Sequence, residues 1–312
     1  MSRPRFGVAL GGGAARGWAH IGVLQALMEL GLKPDVVAGT SIGALVGGAH
    51  VTGYLDELER WVRSLSWQEV LGMLDLRLSG GLIGGMKVIG RLAEGMEGVD
   101  IATLETPFGA VATDMETGRE VWLREGAVLD AIRASIALPG LFSPVMREDR
   151  WLVDGGLVNP IPVSLCRALG ADLVVAVDLT RLPYVRNQKG RRKSGREMKT
   201  MLEQWPQADR MFNLLQSITN RLQPGRDEEE KAELPSMMEV MIKSLGIMTS
   251  RISMSRLAGE PPELLVVPKI ADINLMEFHR ANEAIEAGYE ETMRHRPELE
   301  NMRRFIQPDE VE

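Results

Sequence analysis

The chain has 312 residues, of which 45% are hydrophobic and 25% are charged, and its formal net charge is −7. This length and apolar content suffice for one catalytic α/β domain with additional elements. The acidic balance excludes nucleic acid as the main partner, because nucleic-acid binding draws on a basic face. The single cysteine, Cys166, excludes an intrachain disulfide framework, so we expect a cytoplasmic protein.

The N-terminal segment predicts a strand, a loop and a helix in succession. Phe6 to Leu10 is a short apolar run that predicts a buried strand, and it is too short for the apolar core of a signal peptide. The run ends in a glycine-rich loop, Gly11 to Gly17. Apolar residues then recur at helical spacing, which predicts a helix from Gly17 to Leu30.

The next segment repeats this order. Asp35 to Ala38 predicts a second strand, Ser41 lies at the turn that follows, and a helix is expected after it. The repeat favours a parallel sheet covered on both faces. Residues 36–55 contain no Asp, Glu, Lys or Arg and are long enough to span a membrane, but their five glycines favour a buried strand, turn and helix instead.

Further elements follow to the C-terminus, and they suggest four regions. The predicted strands are Phe108 to Thr113, Val121 to Leu123, Trp151 to Val153, Asp172 to Leu179 and Leu264 to Val267. The predicted helices are Val128 to Ile136, Asp209 to Leu222, Ser236 to Leu257 and Met276 to Arg294. We therefore expect a catalytic core over 5–180, an accessory helical and basic segment over 181–262, a completing strand and helix over 263–296, and a frayed polar tail over 297–312.

Ser41 is the candidate nucleophile because it lies in a Gly-x-Ser-x-Gly frame. A serine on a sharp strand-to-helix turn takes strained dihedral angles, and small neighbours such as Gly39 and Gly43 permit the turn. The turn exposes the hydroxyl at a helix N-terminus, where the dipole and free N–H groups stabilise negative charge. The frame is common among proteins, so the assignment depends on its partners.

The glycine loop is the candidate oxyanion hole. A dinucleotide fingerprint counted from Gly11 would need a glycine where Arg16 stands, and a P-loop would need Lys-Ser or Lys-Thr after Gly17. Both phosphate motifs therefore fail in detail. Backbone N–H groups of the four residues from Gly11 to Ala14 could instead stabilise a carbonyl oxygen as it becomes an alkoxide. The structural alternative is a simple glycine turn between a strand and a packed helix.

The candidate base is Asp154, which precedes Gly155 and Gly156. A Ser-Asp-His triad would need a histidine after Asp154, and only His279 and His295 qualify, both within a charged helix. We therefore discard a triad and expect Asp154 to accept the Ser41 proton directly. The two earlier histidines, His20 and His50, are interpreted as packing or supporting groups.

Taken together, four segments resemble the patatin-like phospholipases, in particular the bacterial branch related to neuropathy target esterase. The resemblance covers about residues 5–180. The segments are Gly11-Gly12-Gly13-Ala14-Ala15-Arg16-Gly17 with His20-Ile21-Gly22-Val23-Leu24, Ala38-Gly39-Thr40-Ser41-Ile42-Gly43-Ala44, Ala134-Ser135-Ile136-Ala137-Leu138-Pro139-Gly140 and Asp154-Gly155-Gly156-Leu157-Val158-Asn159-Pro160.

The resemblance implies an acyl hydrolase that acts on lipid esters through a Ser-Asp dyad, without metal or cofactor. It implies a three-layer α/β/α fold with a mainly parallel central sheet and C-terminal accessory helices. Ser41 takes the place of the nucleophile and Asp154 that of the base. The residues from Gly11 to Ala14 take the place of the oxyanion loop, and Arg16 matches the family's basic residue. Many relatives have a fourth glycine where this chain has Ala14, and alanine costs little there unless the residue needs a positive φ.

The preferred hypothesis is thus a serine hydrolase of fatty-acyl esters of phospholipids or lysophospholipids. The expected partners are a lipid ester substrate and, peripherally, the inner face of a membrane. Three alternatives stay open: a nucleotide-binding regulator, a gated effector or regulatory domain with a silent site, and a hydrolase of other esters. The methionine-rich stretches fit an ordinary helical core better than a lipid-facing cover, and the basic stretch from Arg186 to Lys199 fits a solvated loop as well as a head-group contact.

Overall fold

The computed structural model describes residues 3–73, 95–139, 141–181 and 237–307. The chain divides into two compact units, one formed by residues 1–182 with 244–312 and the other by residues 183–243. The predicted helix from Asp209 to Leu222 and the basic stretch from Arg186 to Lys199 lie outside the described residues. The fold below is that of the larger unit.

One eight-stranded sheet forms the centre of this unit. Its strands are β1 (Phe6–Leu10), β2 (Val36–Thr40), β3 (Phe108–Asp114), β4 (Glu120–Leu123), β5 (Val145–Arg147), β6 (Arg150–Asp154), β7 (Leu173–Val177) and β8 (Leu264–Val266). The pairs β1–β2, β1–β7, β2–β3 and β7–β8 are parallel, whereas β3–β4, β3–β6 and β5–β6 are antiparallel. The predicted mainly parallel α/β sheet is confirmed.

Helices cover both faces of the sheet. The described helices are α1 (Ala19–Glu29), α2 (Ile42–Val51), α3 (Leu55–Ser64), α4 (Trp67–Met73), α5 (Val128–Ser135), α6 (Val163–Ala168), α7 (Met237–Gly259), α8 (Ala281–Arg294) and α9 (Arg296–Ile306). Helices α1, α2, α5 and α8 contribute to a large apolar cluster with β1 and β3, while α6 packs on the opposite face. The central strands are buried on both faces, which explains their uninterrupted apolar sequences.

The C-terminal segment departs from the prediction. Residues 297–312 were expected to form a frayed polar tail, but residues 297–306 belong to α9, and two of its apolar side chains, Leu299 and Ile306, are buried in the main core. The prediction is wrong for these residues. Only a narrow apolar stripe of α9 faces the protein, so the segment has a polar composition although it is packed.

The pairing around β3 brings two strand ends together. Residues Phe108–Val111 of β3 pair with β2, and Ala112–Asp114 pair with β6. Strand β4 pairs with Ala110–Thr113 and therefore occupies the other edge of β3. Consequently β2 and β6 run towards each other along the same edge. Thr40, the last residue of β2, and Asp154, the last residue of β6, pair with adjacent residues of β3.

Candidate active site

Ser41 forms a sharp turn between β2 and α2. Its φ of 56° and ψ of −125° lie in a region that a residue with a Cβ rarely adopts, as expected for the predicted turn. The flanking glycines permit close backbone approach. A methyl group on Gly39 would lie 2.4 Å from the Ala44 Cα atom, and one on Gly43 would lie 2.1 Å from the Leu10 carbonyl oxygen.

Asp154 reaches Ser41 from the opposing strand end. The Ser41 hydroxyl donates a hydrogen bond of 2.5 Å to Asp154 Oδ2, and the Gly156 N–H donates one of 2.7 Å to Oδ1. Gly155 passes so close to β3 that a methyl group on it would lie 2.2 Å from the Val111 carbonyl oxygen. Both carboxylate oxygens are therefore held, and one of them points at the serine.

Burial changes the ionisation of Asp154. The side chain is buried, and this burial raises the pKa of the carboxyl group to about 6, although the hydrogen bonds from Ser41 and Gly156 favour its charged form. A carboxylate with a pKa near 6 is a stronger base than an exposed aspartate and still ionised at neutral pH. The pair Ser41 and Asp154 thus has the geometry and the ionisation that proton transfer from the hydroxyl requires.

Ser135, at the end of α5, holds the Ser41 turn. The Ser41 N–H donates to the Ser135 hydroxyl oxygen at 2.8 Å, and that hydroxyl donates to the Val111 carbonyl oxygen at 2.6 Å. Ser135 is fully buried. No role is predicted for it from the sequence, because a single serine in an apolar helix carries no catalytic pattern. Its only signal was its position inside the third of the four resembling segments.

The glycine loop offers two free donors beside Ser41. The Gly11 N–H donates to the Val177 carbonyl oxygen at 3.2 Å and the Gly12 N–H to that of Pro160 at 2.9 Å. Within the described part of the chain, the N–H groups of Gly13 and Ala14 have no hydrogen-bond partner. Of the four predicted oxyanion donors, two are therefore engaged within the fold and two remain available.

Ala14 has a positive φ, so alanine carries an energetic cost at this position that glycine would not. Its φ is 48°, in the left-handed region that favours glycine. An L-residue pays about 1 kcal/mol in this conformation. Gly12 lies directly against Ser41, since a methyl group on Gly12 would lie 3.6 Å from the Ser41 Cβ atom. The loop is thus held next to Ser41 in a strained form.

The loop is held from the C-terminal segment. Arg16 Nε donates to the Ile273 carbonyl oxygen at 2.7 Å, the Ala15 N–H donates to that of Leu275 at 3.1 Å, and the Trp18 indole N–H donates to that of Phe278 at 3.1 Å. Arg16 therefore holds the loop through its guanidinium group, which binds main chain. Its partners lie more than 250 residues away, which no local pattern could reveal.

The histidines take no part in a triad among the described residues. His20 lies with Nε2 2.7 Å from the Gly11 carbonyl oxygen, and burial lowers the pKa of its imidazole to about 4. Because a carbonyl oxygen only accepts, Nε2 carries the proton, and His20 supports the glycine loop as a neutral donor. His279 packs against the Trp67 ring, and His295 lies between α8 and α9.

The arrangement is suited to acyl transfer. It combines a hydroxyl bonded to a buried carboxylate with two free N–H groups on a neighbouring loop, and these are the parts from which a nucleophile, a base and an oxyanion site are built.

Across the described ranges, no helix is both long and apolar enough to cross a bilayer.

The sequence of the chain matches a known protein family and individual proteins. The family profile described as patatin-like phospholipase matches residues 8–167. An uncharacterized NTE family protein of Mycobacterium tuberculosis is 34% identical over 92% of this chain and 90% of its own length. A lysophospholipase of Emericella nidulans, nte1, is 27% identical over 91% of this chain but only 17% of its own length.

A solved structure also aligns with most of the chain. VipD from Legionella pneumophila aligns with 96% of this chain and 67% of its own chain, at a TM-score of 0.44 and 13% identity. The family profile spans the glycine loop, Ser41, Ser135 and Asp154. By profile and by sequence identity, the chain belongs to the patatin-like phospholipase family, which implies ester hydrolase activity on lipids.

Proposed function

We propose that this protein is a serine acyl hydrolase that cleaves fatty-acyl esters of phospholipids or lysophospholipids. The observation that carries the proposal is the 2.5 Å hydrogen bond from the Ser41 hydroxyl to the buried carboxylate of Asp154, beside a loop with two free N–H donors. The family membership supports a lipid ester as substrate. The lysophospholipase nte1 supports the narrower choice of a phospholipid or lysophospholipid.

The first half of the reaction forms an acyl-enzyme. Asp154 Oδ2 accepts the hydroxyl proton while Ser41 Oγ attacks the ester carbonyl carbon. The N–H groups of Gly13 and Ala14 then donate to the carbonyl oxygen as it becomes an alkoxide, a term worth roughly 3–4 kcal/mol per donor. The intermediate collapses, and Asp154 returns its proton to the departing alcohol of the glycerol backbone.

The second half of the reaction repeats these roles with water. Asp154 accepts a proton from the incoming water, whose oxygen attacks the acyl-Ser41 carbonyl, and the same N–H groups stabilise the second alkoxide. Collapse releases the fatty acid and reprotonates Ser41 Oγ. The strained turn keeps Oγ in line with the carboxylate through both halves, so the serine need not be reoriented between them.

The proposal is tested by labelling the serine and measuring hydrolysis. A fluorophosphonate probe, located by mass spectrometry, is expected to modify Ser41, and Ser41→Ala is expected to abolish both labelling and fatty-acid release from lysophospholipid. Asp154→Asn is expected to lower kcat by about 1,000-fold or more, because the base is lost.

The matched control is Asp114→Asn. Asp114 is likewise a buried aspartate at a strand end, but its carboxylate accepts the N–H groups of Glu116 and Thr117 in a surface turn. This variant is expected to retain labelling and hydrolysis. Full activity of Ser41→Ala on fatty-acyl esters would rule out the proposal. Release of fatty acid only from neutral glycerides would be consistent with the Ser41 and Asp154 dyad, but it would rule out phospholipids as the substrate.

A further inference from the structure

Over residues 244–259, helix α7 packs Leu257 against the core but leaves three of its large apolar side chains exposed. The two buried side chains of this stretch are serines, Ser250 at 7% exposure and Ser253 at 1%. Three large apolar side chains face outward: Ile247, Met248 and Met254 are 52%, 50% and 57% exposed. A helix on a water-exposed surface normally shows the opposite pattern. The favoured sequence interpretation, an ordinary helical core, is therefore wrong for Met248 and Met254.

This orientation of the helix is held by specific polar contacts. The hydroxyl oxygens of Thr180, just beyond β7, and Ser253 are 3.1 Å apart. Arg256 Nη2 donates to Glu120 Oε2 of β4 at 3.0 Å and to the Ser164 hydroxyl oxygen of α6 at 3.1 Å. These contacts join the helix to β4, to α6 and to the segment that follows β7. A rotation that buried Ile247 and Met254 would break them and expose the serines.

The charge of this helical stretch is also distinctive. Residues 244–259 contain Arg251 and Arg256 and no aspartate or glutamate, in a chain whose net charge is −7. Arg256 is paired with Glu120 and Glu260, whereas Arg251 lies on the exposed face with the apolar residues. The outer face thus combines exposed apolar side chains with a cation and no anion. We call Ile247, Met248, Arg251 and Met254 the α7 outer face.

We propose that the α7 outer face docks on the surface of a phospholipid bilayer that contains anionic lipid. Apolar side chains on such a helix enter the boundary between head groups and acyl chains, and a neighbouring arginine is attracted by anionic head groups. The cation Arg251 and the absence of aspartate or glutamate over residues 244–259 make this face complementary to an anionic surface, although the chain as a whole is acidic. The inference goes beyond the proposed hydrolysis, since docking does not require cleavage.

The first experiment measures binding without hydrolysis. The full chain carrying Ser41→Ala is floated with vesicles of phosphatidylcholine containing phosphatidylglycerol, so that a failure of docking and a failure of the proposed chemistry are separate results. Ile247→Ser together with Met254→Ser is expected to weaken binding about tenfold, because two apolar contacts of roughly half a side chain each are lost. Arg251→Gln is expected to weaken it about fivefold on anionic vesicles and to leave binding to pure phosphatidylcholine unchanged.

The matched controls are exposed apolar residues elsewhere. Met28 on α1 and Phe305 on α9 are 45% and 63% exposed, and Met28→Ser with Phe305→Ser is expected to bind vesicles like the parent protein. Absence of flotation, or equal loss in the control pair, would overturn the proposal. If the α7 pair instead dissociates a dimer seen by light scattering and leaves flotation unchanged, the face joins two copies of the chain and the proposal fails.

A second experiment locates the contact directly. Met254→Cys provides a selective labelling site, because the native Cys166 is fully buried. A polarity-sensitive dye on this cysteine is expected to shift its emission to shorter wavelength when anionic vesicles are added, and the same dye on Met28→Cys is expected not to shift. A cysteine at position 254 that resists labelling in the absence of vesicles would show that the chain itself covers this face, which would overturn the proposal.

Discussion

The two halves of the candidate active site are held in different ways. Ser41 and Asp154 are placed by the sheet, since β2 and β6 end on adjacent residues of β3 and Ser135 joins the Ser41 N–H to the same strand. The glycine loop is placed by the end of the chain, through bonds from Ala15 and Arg16 to the carbonyl groups of Leu275 and Ile273. The candidate dyad is therefore held by the central sheet, whereas the candidate oxyanion donors depend on contacts with the C-terminal segment.

The two halves would also contribute differently to the reaction. A base and a nucleophile need one fixed distance, which strand register supplies with little freedom. Oxyanion donors need to match a charge that develops only during the reaction, so a small displacement of the loop lowers the rate without affecting substrate binding. Substitutions in the two halves should consequently give different kinetic patterns.

Among substitutions that leave Ser41 and Asp154 unchanged, Ser135→Ala is expected to lower kcat most. Without the hydroxyl, the strained Ser41 turn loses the acceptor of its N–H, and a relaxation costing about 2 kcal/mol would lower kcat about 30-fold. The rate of fluorophosphonate labelling should fall in parallel. Ser253→Ala removes an equally buried serine hydroxyl that does not contact Ser41, and it should change neither rate. Equal effects of both substitutions would assign Ser135 a general structural role.

The pH dependence of kcat/KM tests the dyad half next. Because the Asp154 pKa of about 6 lies above its ordinary value, the base is protonated at acid pH. The activity should be constant above about pH 7 and about tenfold lower at pH 5. The stability should move the other way: the protonated carboxyl favours the fold fully below its unfolded pKa of 3.8, and this contribution is lost as the pH rises through about 6.

The control for the pH profile is Asp154→Asn. This variant should lose the pH-dependent step in residual activity, and its thermal stability should decrease less than that of the parent between pH 4 and pH 7. Thermal unfolding over this range measures the stability, and hydrolysis of a soluble short-chain ester measures the activity. An activity profile that is flat from pH 5 to pH 8 would contradict the assignment of Asp154 as the base.

Arg16→Met is expected to give a smaller effect, confined to the loop half. The side chain keeps its apolar stem but loses the bond to the Ile273 carbonyl oxygen, so kcat should fall about fivefold through displaced oxyanion donors, with KM unchanged. Arg167→Met is the matched control: Arg167 also binds main chain, at Pro261 and Asp172, but at the opposite end of β7. A change in KM with constant kcat would place Arg16 in substrate binding instead.

Several features followed from the sequence alone because they rest on local physics. Uninterrupted apolar runs predicted the strands β1, β2, β3 and β7, and the glycines around Ser41 predicted its sharp turn. Asp154 was singled out by its place between a strand and two glycines, after elimination of the later histidines. Short elements such as β5 and the helices α3 and α4 were missed, because a few residues with mixed composition carry little periodic signal.

Tertiary structure decided how these parts combine. Only the register on β3 brings Ser41 and Asp154 to the same edge, and only hydrogen bonds between distant segments give Ser135 and Arg16 their supporting roles. The loop's free donors reduce to Gly13 and Ala14 because the carbonyl groups of Val177 and Pro160 accept the first two N–H groups. Likewise, the exposed methionines of α7 became visible only with the helix docked, since sequence predicts which residues are apolar but not which face the protein covers.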